Sequence, residues 1–290
     1  MVHTMRFLSP LVHLILALIV GRVAAQDSAA VSPAPSPAPE PIEYRSCVNV
    51  SNSPDGQQIC CPAKTGIRMG DADMFTKYDN EASDCHGWVE GGETELSEHD
   101  NLAISHTIFE AMKVQPGHVL FEWGSGCGSR LKYAEDYHNA TGLGIDMSRT
   151  SLEYALRHTT TSAFCLVNGK ILGWIPDKTF DGAFSFASLY LLGTTVKAIE
   201  ESKLCMVMAE LVRIVKPDSK VVIAGNLAGV HLPEAYFHTC YKRFLWKKYN
   251  HALSFQIHRD YQWFPHSLKH YFGPHGRHFK SFSVVMKRMQ

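Results

Sequence analysis

The sequence predicts a doubly wound α/β protein with a mostly parallel, seven-stranded sheet and an antiparallel hairpin at its C-terminal end. The first observation is that short, nearly all-apolar stretches alternate with helical patterns between about residues 95 and 250. This alternation is typical of a parallel sheet that helices cover on both faces. The second observation concerns residues 252–263 and 279–287, two strand-like stretches joined by a loop that contains Pro and Gly. Such a pair favours a hairpin.

The regular elements begin at about Glu95, so the sheet domain is assigned to residues 95–290. Residues 97–114 carry apolar side chains at helical spacing, and Pro116-Gly117 ends that helix. Lys216-Pro217-Asp218-Ser219 is predicted to be a turn before the fifth strand. The predicted strands are 119–123, 142–147, 163–168, 180–187 and 220–224; the predicted helices are 129–138, 148–158, 194–215 and 232–249.

Residues 1–25 have the pattern of a secretory signal peptide. Arg6 precedes an apolar core at 11–20, and Val23-Ala24-Ala25 places small residues before Gln26. The core is shorter than the roughly 20 residues that span a bilayer, so we expect cleavage and no stable membrane span. An uncleaved signal-anchor and delivery to another organelle are the alternatives. The predicted location is the secretory-pathway lumen or the extracellular space.

Two segments lie between this signal and the sheet domain. Residues 26–42 are rich in Pro, Ala and Ser and cannot bury a core, so we expect a disordered linker. Residues 43–94 form a Cys-containing lead-in without clear periodicity, which we interpret as loop-rich. Asn49 and Asn139 begin Asn-x-Ser/Thr tripeptides and are candidate N-glycosylation sites.

The chain contains eight cysteines, all after the predicted cleavage point. An oxidising compartment would favour disulfides among those of the lead-in, whose pairing the sequence leaves open. No Cys-x2-Cys spacing occurs, which disfavours zinc. Cysteines within regular elements are predicted to be buried thiols. The lead-in cysteines are Cys47, Cys60, Cys61 and Cys85, and the predicted thiols are Cys127, Cys165 and Cys205.

A glycine-rich turn follows the first strand of the sheet domain. Gly124, Gly126 and Gly128 recur at every second residue, and glycines allow backbone amides to approach a ligand closely. Glu122 lies two residues before them and suits an ammonium group better than a phosphate. The dinucleotide spacing Gly-x-Gly-x-x-Gly fails because its last position is Ser129. This disfavours a nicotinamide enzyme.

Asp146 ends the second strand of the domain. A carboxylate at this position can accept hydrogen bonds from both ribose hydroxyls of an adenosine-containing cofactor. The alternative is an acid that stabilises the N-terminus of the helix beginning near Ser148. Together with the glycine turn, Asp146 favours the cofactor interpretation.

The stretch Glu122-Trp123-Gly124-Ser125-Gly126-Cys127-Gly128 with Asp146 resembles the class I S-adenosylmethionine-dependent methyltransferases. Residues 167–176, 180–186 and 213–219 resemble later elements of that family in the same order, so the resemblance covers about residues 98–288. It implies a Rossmann-like fold with S-adenosylmethionine as cofactor. Asn168 replaces the family's usual acid near the adenine, where its amide oxygen could accept instead. The cofactor-binding residues it implies are Glu122, Gly124, Ser125, Gly126, Cys127, Gly128, Asp146, Met147, Asn168, Gly169 and Ser185.

The expected activity is methyl transfer to a small-molecule or glycan-type acceptor. Residues 241–290 contain ten Lys/Arg and one acid, and this basic segment could attract an anionic substrate. The net charge is zero, so no nucleic-acid partner is expected. His266 is the candidate general base. Its helical spacing from His270 would also allow a metal, but no metal site is predicted. The alternative function is a non-catalytic secreted module that retains the fold.

Overall fold

The structure is a computed structural model of the chain. It describes residues 46–50, 57–62, 85, 98–167, 169, 172–186, 188–189, 203–224, 234–249, 253–259 and 282–289. The strands are β1 (Cys47–Asn49), β2 (Gln58–Cys60), β3 (Val119–Trp123), β4 (Thr141–Asp146), β5 (Ala163–Leu166), β6 (Phe180–Phe186), β7 (Val215–Ala224), β8 (Leu253–Arg259) and β9 (Phe282–Arg288). The helices are α1 (Glu98–Met112), α2 (Ser129–His138), α3 (Arg149–His158), α4 (Lys203–Ile214), α5 (Glu234–Cys240) and α6 (Trp246–Tyr249), with a π-helical stretch at Tyr241–Leu245 between the last two.

Strands β3 to β9 form one sheet in the order β5-β4-β3-β6-β7-β9-β8. β5, β4, β3, β6 and β7 are parallel, whereas β9 pairs antiparallel with both β7 and β8. The chain therefore starts in the middle of the sheet, winds outward in one direction and then in the other. This order confirms the predicted doubly wound fold with a C-terminal hairpin. It also brings the carboxyl ends of β3, β4 and β6 together at one edge, where such sheets bind ligands.

Apolar layers cover both faces of the sheet. Side chains alternate across a strand, so Phe121 and Trp123 face one layer and Leu120 faces the other. Glu122 follows the same alternation as Leu120 and is fully buried on the side of the second layer. The fold therefore places a carboxyl group inside an apolar layer at the end of β3.

The part of the lead-in that the structure describes contains an antiparallel hairpin, which the sequence did not predict. β1 pairs with β2, and Val48 and Ile59 bury their side chains in the first layer. A Cys47–Cys60 disulfide joins the two strands of the hairpin. A Cys61–Cys165 disulfide attaches it to β5, the edge strand of the main sheet.

The prediction that the cysteines within regular elements are buried thiols is wrong. Cys165 bonds to Cys61, and a second disulfide joins Cys85 to Cys127. A third joins Cys205 in α4 to Cys240 at the end of α5. The partners are 104, 42 and 35 residues apart in sequence, and folding brings them together only when the elements pack. A cysteine on a buried strand or helix face can therefore be bonded as well as free.

The predicted turn at residues 216–219 lies within the span of β7. Val215 pairs with Phe180 and Lys220 pairs with Gly182, so the four intervening residues leave the ladder opposite Asp181. Asp218 has φ of 65°, the left-handed conformation that a turn requires. The turn is thus a bulge that interrupts the strand.

Two charged side chains fix loops next to the sheet. Glu135 accepts hydrogen bonds from the backbone amides of residues 160–162, at 2.6–3.0 Å. Burial alone would raise the pKa of Glu135, but these hydrogen bonds outweigh it and lower that pKa. Arg213 donates to the carbonyl oxygens of Leu172 and Ile175 and pairs with Asp177. These contacts hold the loops that follow α3 and β5.

None of the helices in the described ranges is long and apolar enough to cross a membrane.

Candidate functional site

The glycine turn connects β3 to α2 at the ligand-binding edge of the sheet. The neighbouring strand β4 fixes its backbone, because the amides of Gly124 and Ser125 both donate to the Ile145 carbonyl at 2.9 Å. Gly124, Gly126 and Gly128 have φ of 72°, 50° and 73°, a region that disfavours side chains. The turn therefore requires glycine at all three positions.

The three glycines differ in how much room surrounds them. A Cβ on Gly124 would lie 2.4 Å from Ser188 Cβ, and one on Gly128 would lie 2.7 Å from Ala155 Cβ. A Cβ on Gly126 would meet nothing within 4 Å. The outer two glycines are thus in close contact with protein, whereas the middle one borders open space where a ligand can approach the backbone.

Asp146 is joined to this turn by hydrogen bonds. Its Oδ2 accepts from the Gly126 amide at 2.8 Å, and its Oδ1 accepts from the amides of Met147 and Ser148 at 2.7 and 2.9 Å. Ser148, meanwhile, caps α3 by accepting from the Ser151 amide. Ser148 Oγ therefore caps α3, while Asp146 joins the glycine turn to the two residues that precede this helix.

Several buried polar atoms surround the turn without a hydrogen-bond partner in the described part of the chain. They include both carboxylate oxygens of Glu122 and the hydroxyls of Ser125 and Ser185. Arg130 Nε is a fourth group of this kind. Buried polar groups are normally hydrogen-bonded, and leaving one unpaired costs about 1–3 kcal/mol. Such a concentration beside an open glycine turn indicates that a polar ligand completes the site.

Arg130 is a site residue that was not predicted from the sequence. It lies in the first turn of α2, where it is buried with its guanidinium carbon 4.2 Å from the Phe186 ring centroid. Its Nη1 lies 3.8 Å from Glu122 Oε1, which is an ion pair but too long for a hydrogen bond. A buried carboxylate needs a cation nearby, so a glutamate within an otherwise apolar strand indicates that an Arg or Lys packs against it. This was the sequence feature that could have identified Arg130.

Burial changes the acidity of both partners of this pair. Desolvation raises the pKa of the Glu122 carboxyl to about 8, although the positive charge of Arg130 opposes the rise. Desolvation likewise lowers the pKa of Arg130, against the attraction of Glu122. Each charge is therefore destabilised without a ligand, and a ligand that carries both an ammonium and a carboxylate would stabilise both.

Glu122→Gln should change how stability depends on pH. The folded-state pKa of Glu122 lies above its ordinary value of 4.5, so wild-type stability falls as pH rises from about 4.5 to 8. A glutamine stays neutral, so the variant should lose this dependence and exceed wild-type stability at pH 9 by roughly 5 kcal/mol. Guanidinium unfolding at pH 5, 7 and 9 measures the difference. Parallel curves for the two proteins would refute the raised pKa.

Other expected site residues surround the turn. Gly169 accepts a hydrogen bond from Trp123 Nε1 at 2.8 Å, and its φ of 64° and its contact with that indole leave no room for a side chain. Cys127 lies between two of the turn's glycines and is disulfide-bonded to Cys85. Ser188, which was not among the expected residues, donates to the carbonyls of Gly124 and Phe186. It connects the end of β6 to the glycine turn.

Two expected site residues, Asn168 and His266, lie outside the described residues. Asn49 and Asn139, the candidate glycosylation sites, both have exposed side chains. Asn139 is the C-cap of α2, with φ of 47°, and the hydroxyl of Thr141 in the same tripeptide is buried.

The comparisons with known proteins agree with this geometry. Residues 121–223 match the family model described as a methyltransferase domain. Two similar solved structures are the candidate methyltransferase in complex with the Trm112 methyltransferase activator of Haloferax volcanii and the [4+2]-cyclase SpnF. The first is 17% identical with a TM-score of 0.53 and covers 74% of this chain and 98% of its own. The second is 15% identical with a TM-score of 0.52, and the match covers 74% of this chain and 94% of the cyclase.

No curated protein sequence matches this chain. At these identities the solved structures show the fold alone. Because one of them is a cyclase, the fold by itself does not decide the reaction, and the reaction has to be inferred from the chemistry of the site.

Proposed function

Because this chain belongs to the class I S-adenosylmethionine-dependent methyltransferase family, we propose that it methylates a small-molecule or glycan-type acceptor in the secretory pathway or outside the cell. S-adenosylmethionine is the cofactor, and it supplies an electrophilic methyl group on a sulfonium. The observation that carries the proposal is the cluster of buried, unpartnered polar atoms beside the open Gly126. Their chemistry matches a zwitterionic amino acid joined to a ribose.

Each residue of the cluster has a proposed role. Glu122 binds the cofactor's ammonium, whereas Arg130 and the Ser125 hydroxyl bind its carboxylate. The first amides of α2 support the carboxylate, because the N-cap of that helix is Gly128, which has no side chain to occupy them. Asp146 binds the ribose hydroxyls, because it ends the second strand of the domain, where doubly wound nucleotide-binding folds place the carboxylate that contacts the ribose.

The chain's contribution to methyl transfer is mainly placement. Gly169, Ser185 and Ser188 border the carboxyl ends of β5 and β6, and the reacting groups would meet at that edge. Asn168 is proposed to accept from the adenine amino group. His266 is proposed as the general base on the sequence alone. Met147 is proposed to pack beside the nucleoside, since it directly follows Asp146.

The secretory location is supported by the four disulfides, which fit an oxidising compartment. A signal peptide at residues 1–25 and glycans on Asn49 and Asn139 complete this proposal. A basic segment at residues 241–290 favours an anionic acceptor.

Transfer of a labelled methyl group tests the proposed reaction. The disulfide-intact protein would be incubated with methyl-labelled S-adenosylmethionine and fractions of secreted small molecules and glycans. We expect label in one fraction together with stoichiometric S-adenosylhomocysteine. Cofactor binding without label in any fraction would instead support the non-catalytic module.

Removing the Cys85–Cys127 disulfide should weaken cofactor binding. This bond anchors the residue between Gly126 and Gly128, and without it the turn gains conformational freedom that binding must remove. We expect the Cys85→Ser/Cys127→Ser double variant to bind S-adenosylmethionine about tenfold more weakly, corresponding to roughly 1.4 kcal/mol. Isothermal titration measures this affinity.

The matched control for this variant is Cys47→Ser/Cys60→Ser, which removes the disulfide within the β1–β2 hairpin. Its affinity should stay close to wild type. Equal losses in both double variants would mean that general stability, rather than anchoring of the turn, explains the effect.

A further inference from the structure

A basic and aromatic surface covers the outer side of the helix that runs from α5 to α6. Within residues 241–249, two large apolar side chains are exposed, Phe244 by 44% and Trp246 by 39%. All four cations of the same stretch are exposed as well. We call this surface the basic aromatic face, and its residues are Lys242, Arg243, Phe244, Trp246, Lys247 and Lys248.

The opposite side of the helix holds this face in place. Phe237, Cys240 and Leu245 are buried in the first apolar layer. The Cys205–Cys240 disulfide joins the end of α5 to α4, and the Tyr249 hydroxyl donates to the Ala209 carbonyl in α4. Because the inner side is fixed at both ends, the basic aromatic face cannot turn inward to bury its aromatic side chains.

The charged side chains of this face are all positive. Residues 235–259 contain no Asp or Glu, whereas the helix alone contributes four cations to the surface. Lys242 and Trp246, and likewise Phe244 and Lys248, lie four residues apart in sequence, so cations and aromatics are interspersed. Interspersed Trp, Phe and Lys are typical of helices that lie in the headgroup region of a bilayer.

The topology places this face away from the glycine turn. Tyr241 stacks on Phe255 and donates to the Leu253 carbonyl, so this part of the helix lies along the first half of β8. β8 runs parallel to β7, since both are antiparallel to β9. The start of β8 is therefore at the amino edge of the sheet, whereas the glycine turn is at the carboxyl edge.

We propose that the basic aromatic face binds the surface of a bilayer that contains anionic lipids. Its cations attract the lipid phosphates and carboxylates, and Phe244 and Trp246 enter the headgroup region. The aromatic side chains favour a bilayer over a soluble polyanion, which would use the cations and leave these rings in water. Binding in this orientation leaves the cofactor edge of the sheet open.

Vesicle co-sedimentation of the full protein tests the proposal. We expect binding to phosphatidylcholine vesicles that contain phosphatidylserine, loss of binding at high salt, and no binding to pure phosphatidylcholine. Lys247→Gln/Lys248→Gln should reduce the affinity about thirtyfold, because each cation near an anionic surface contributes about five- to sixfold. Phe244→Ser/Trp246→Ser should reduce it about tenfold.

The matched control is Lys113→Gln/Arg157→Gln, which neutralises two exposed cations elsewhere on the protein. It should bind vesicles like wild type, and all variants should keep the wild-type melting temperature. Failure of the wild type to prefer anionic vesicles overturns the proposal, as does an equal loss in the control. The proposal is also overturned if the aromatic variant binds like wild type while dextran sulfate competes fully, since that result identifies a polyanion site.

Discussion

Asp146→Ala should weaken S-adenosylmethionine binding about a hundredfold, the equivalent of roughly 2.7 kcal/mol. The substitution removes the proposed acceptor of two ribose hydroxyls, and hydrogen bonds to a charged group contribute about 1.5–3 kcal/mol each. It also removes the hydrogen bond from the Gly126 amide, which fixes the middle of the glycine turn. Isothermal titration of the purified variant measures the loss.

Asp136→Ala is the matched control for this prediction. Asp136 is an exposed carboxylate of α2 that pairs with Lys132, and it lies outside the site. Its variant should bind the cofactor like wild type. An Asp146→Ala protein with unchanged affinity would exclude the ribose role and leave Asp146 as a structural residue of the turn.

Arg130→Met should weaken S-adenosylmethionine binding by about thirty- to a hundredfold, or roughly 2–2.7 kcal/mol. The guanidinium is the only cation that the structure shows beside Glu122 among the residues it describes, and it is proposed to bind the cofactor's carboxylate. Methionine retains much of the apolar stem that packs against Phe186. Removing the cation raises the pKa of Glu122 further, so this carboxyl is neutral at pH 7 and no buried charge is left unpaired; the melting temperature should therefore change much less than the affinity.

A truncated ligand separates this role from a general effect on the pocket. 5′-Methylthioadenosine has the nucleoside but lacks the amino-acid end, so its affinity should be unchanged in Arg130→Met and reduced in Asp146→Ala. Arg157→Met, at the exposed end of α3, is the matched control. Equal losses for both ligands in Arg130→Met would place the arginine in the nucleoside pocket or in the fold.

The central sheet could be predicted because local signals delimit its elements. β3 and α2 lie on either side of the glycine turn, and both were predicted with the bounds that the structure gives. The junction between α4 and β7 was harder, since Pro217 and Asp218 indicate a turn whether or not the strand resumes its ladder beyond it. The β1–β2 hairpin was missed because strands of three residues give no measurable alternation.

The site was predictable where a residue's role follows from the chain itself. The glycines and Asp146 belong to a turn and a strand end, and sequence spacing reveals both. The positions of Arg130 and Ser188 depend instead on packing between α2, β3 and β6. The disulfide of Cys127 depends on a lead-in whose path the sequence does not encode locally. These contacts become visible only in three dimensions.

Isothermal titration of the disulfide-intact protein with S-adenosylmethionine is the sharpest test of whether this site binds that cofactor through the glycine turn. We predict one binding event per chain, with similar binding of S-adenosylhomocysteine and none of NADH. The absence of heat with S-adenosylmethionine, from protein whose disulfides and melting transition are intact, would refute cofactor binding at this site.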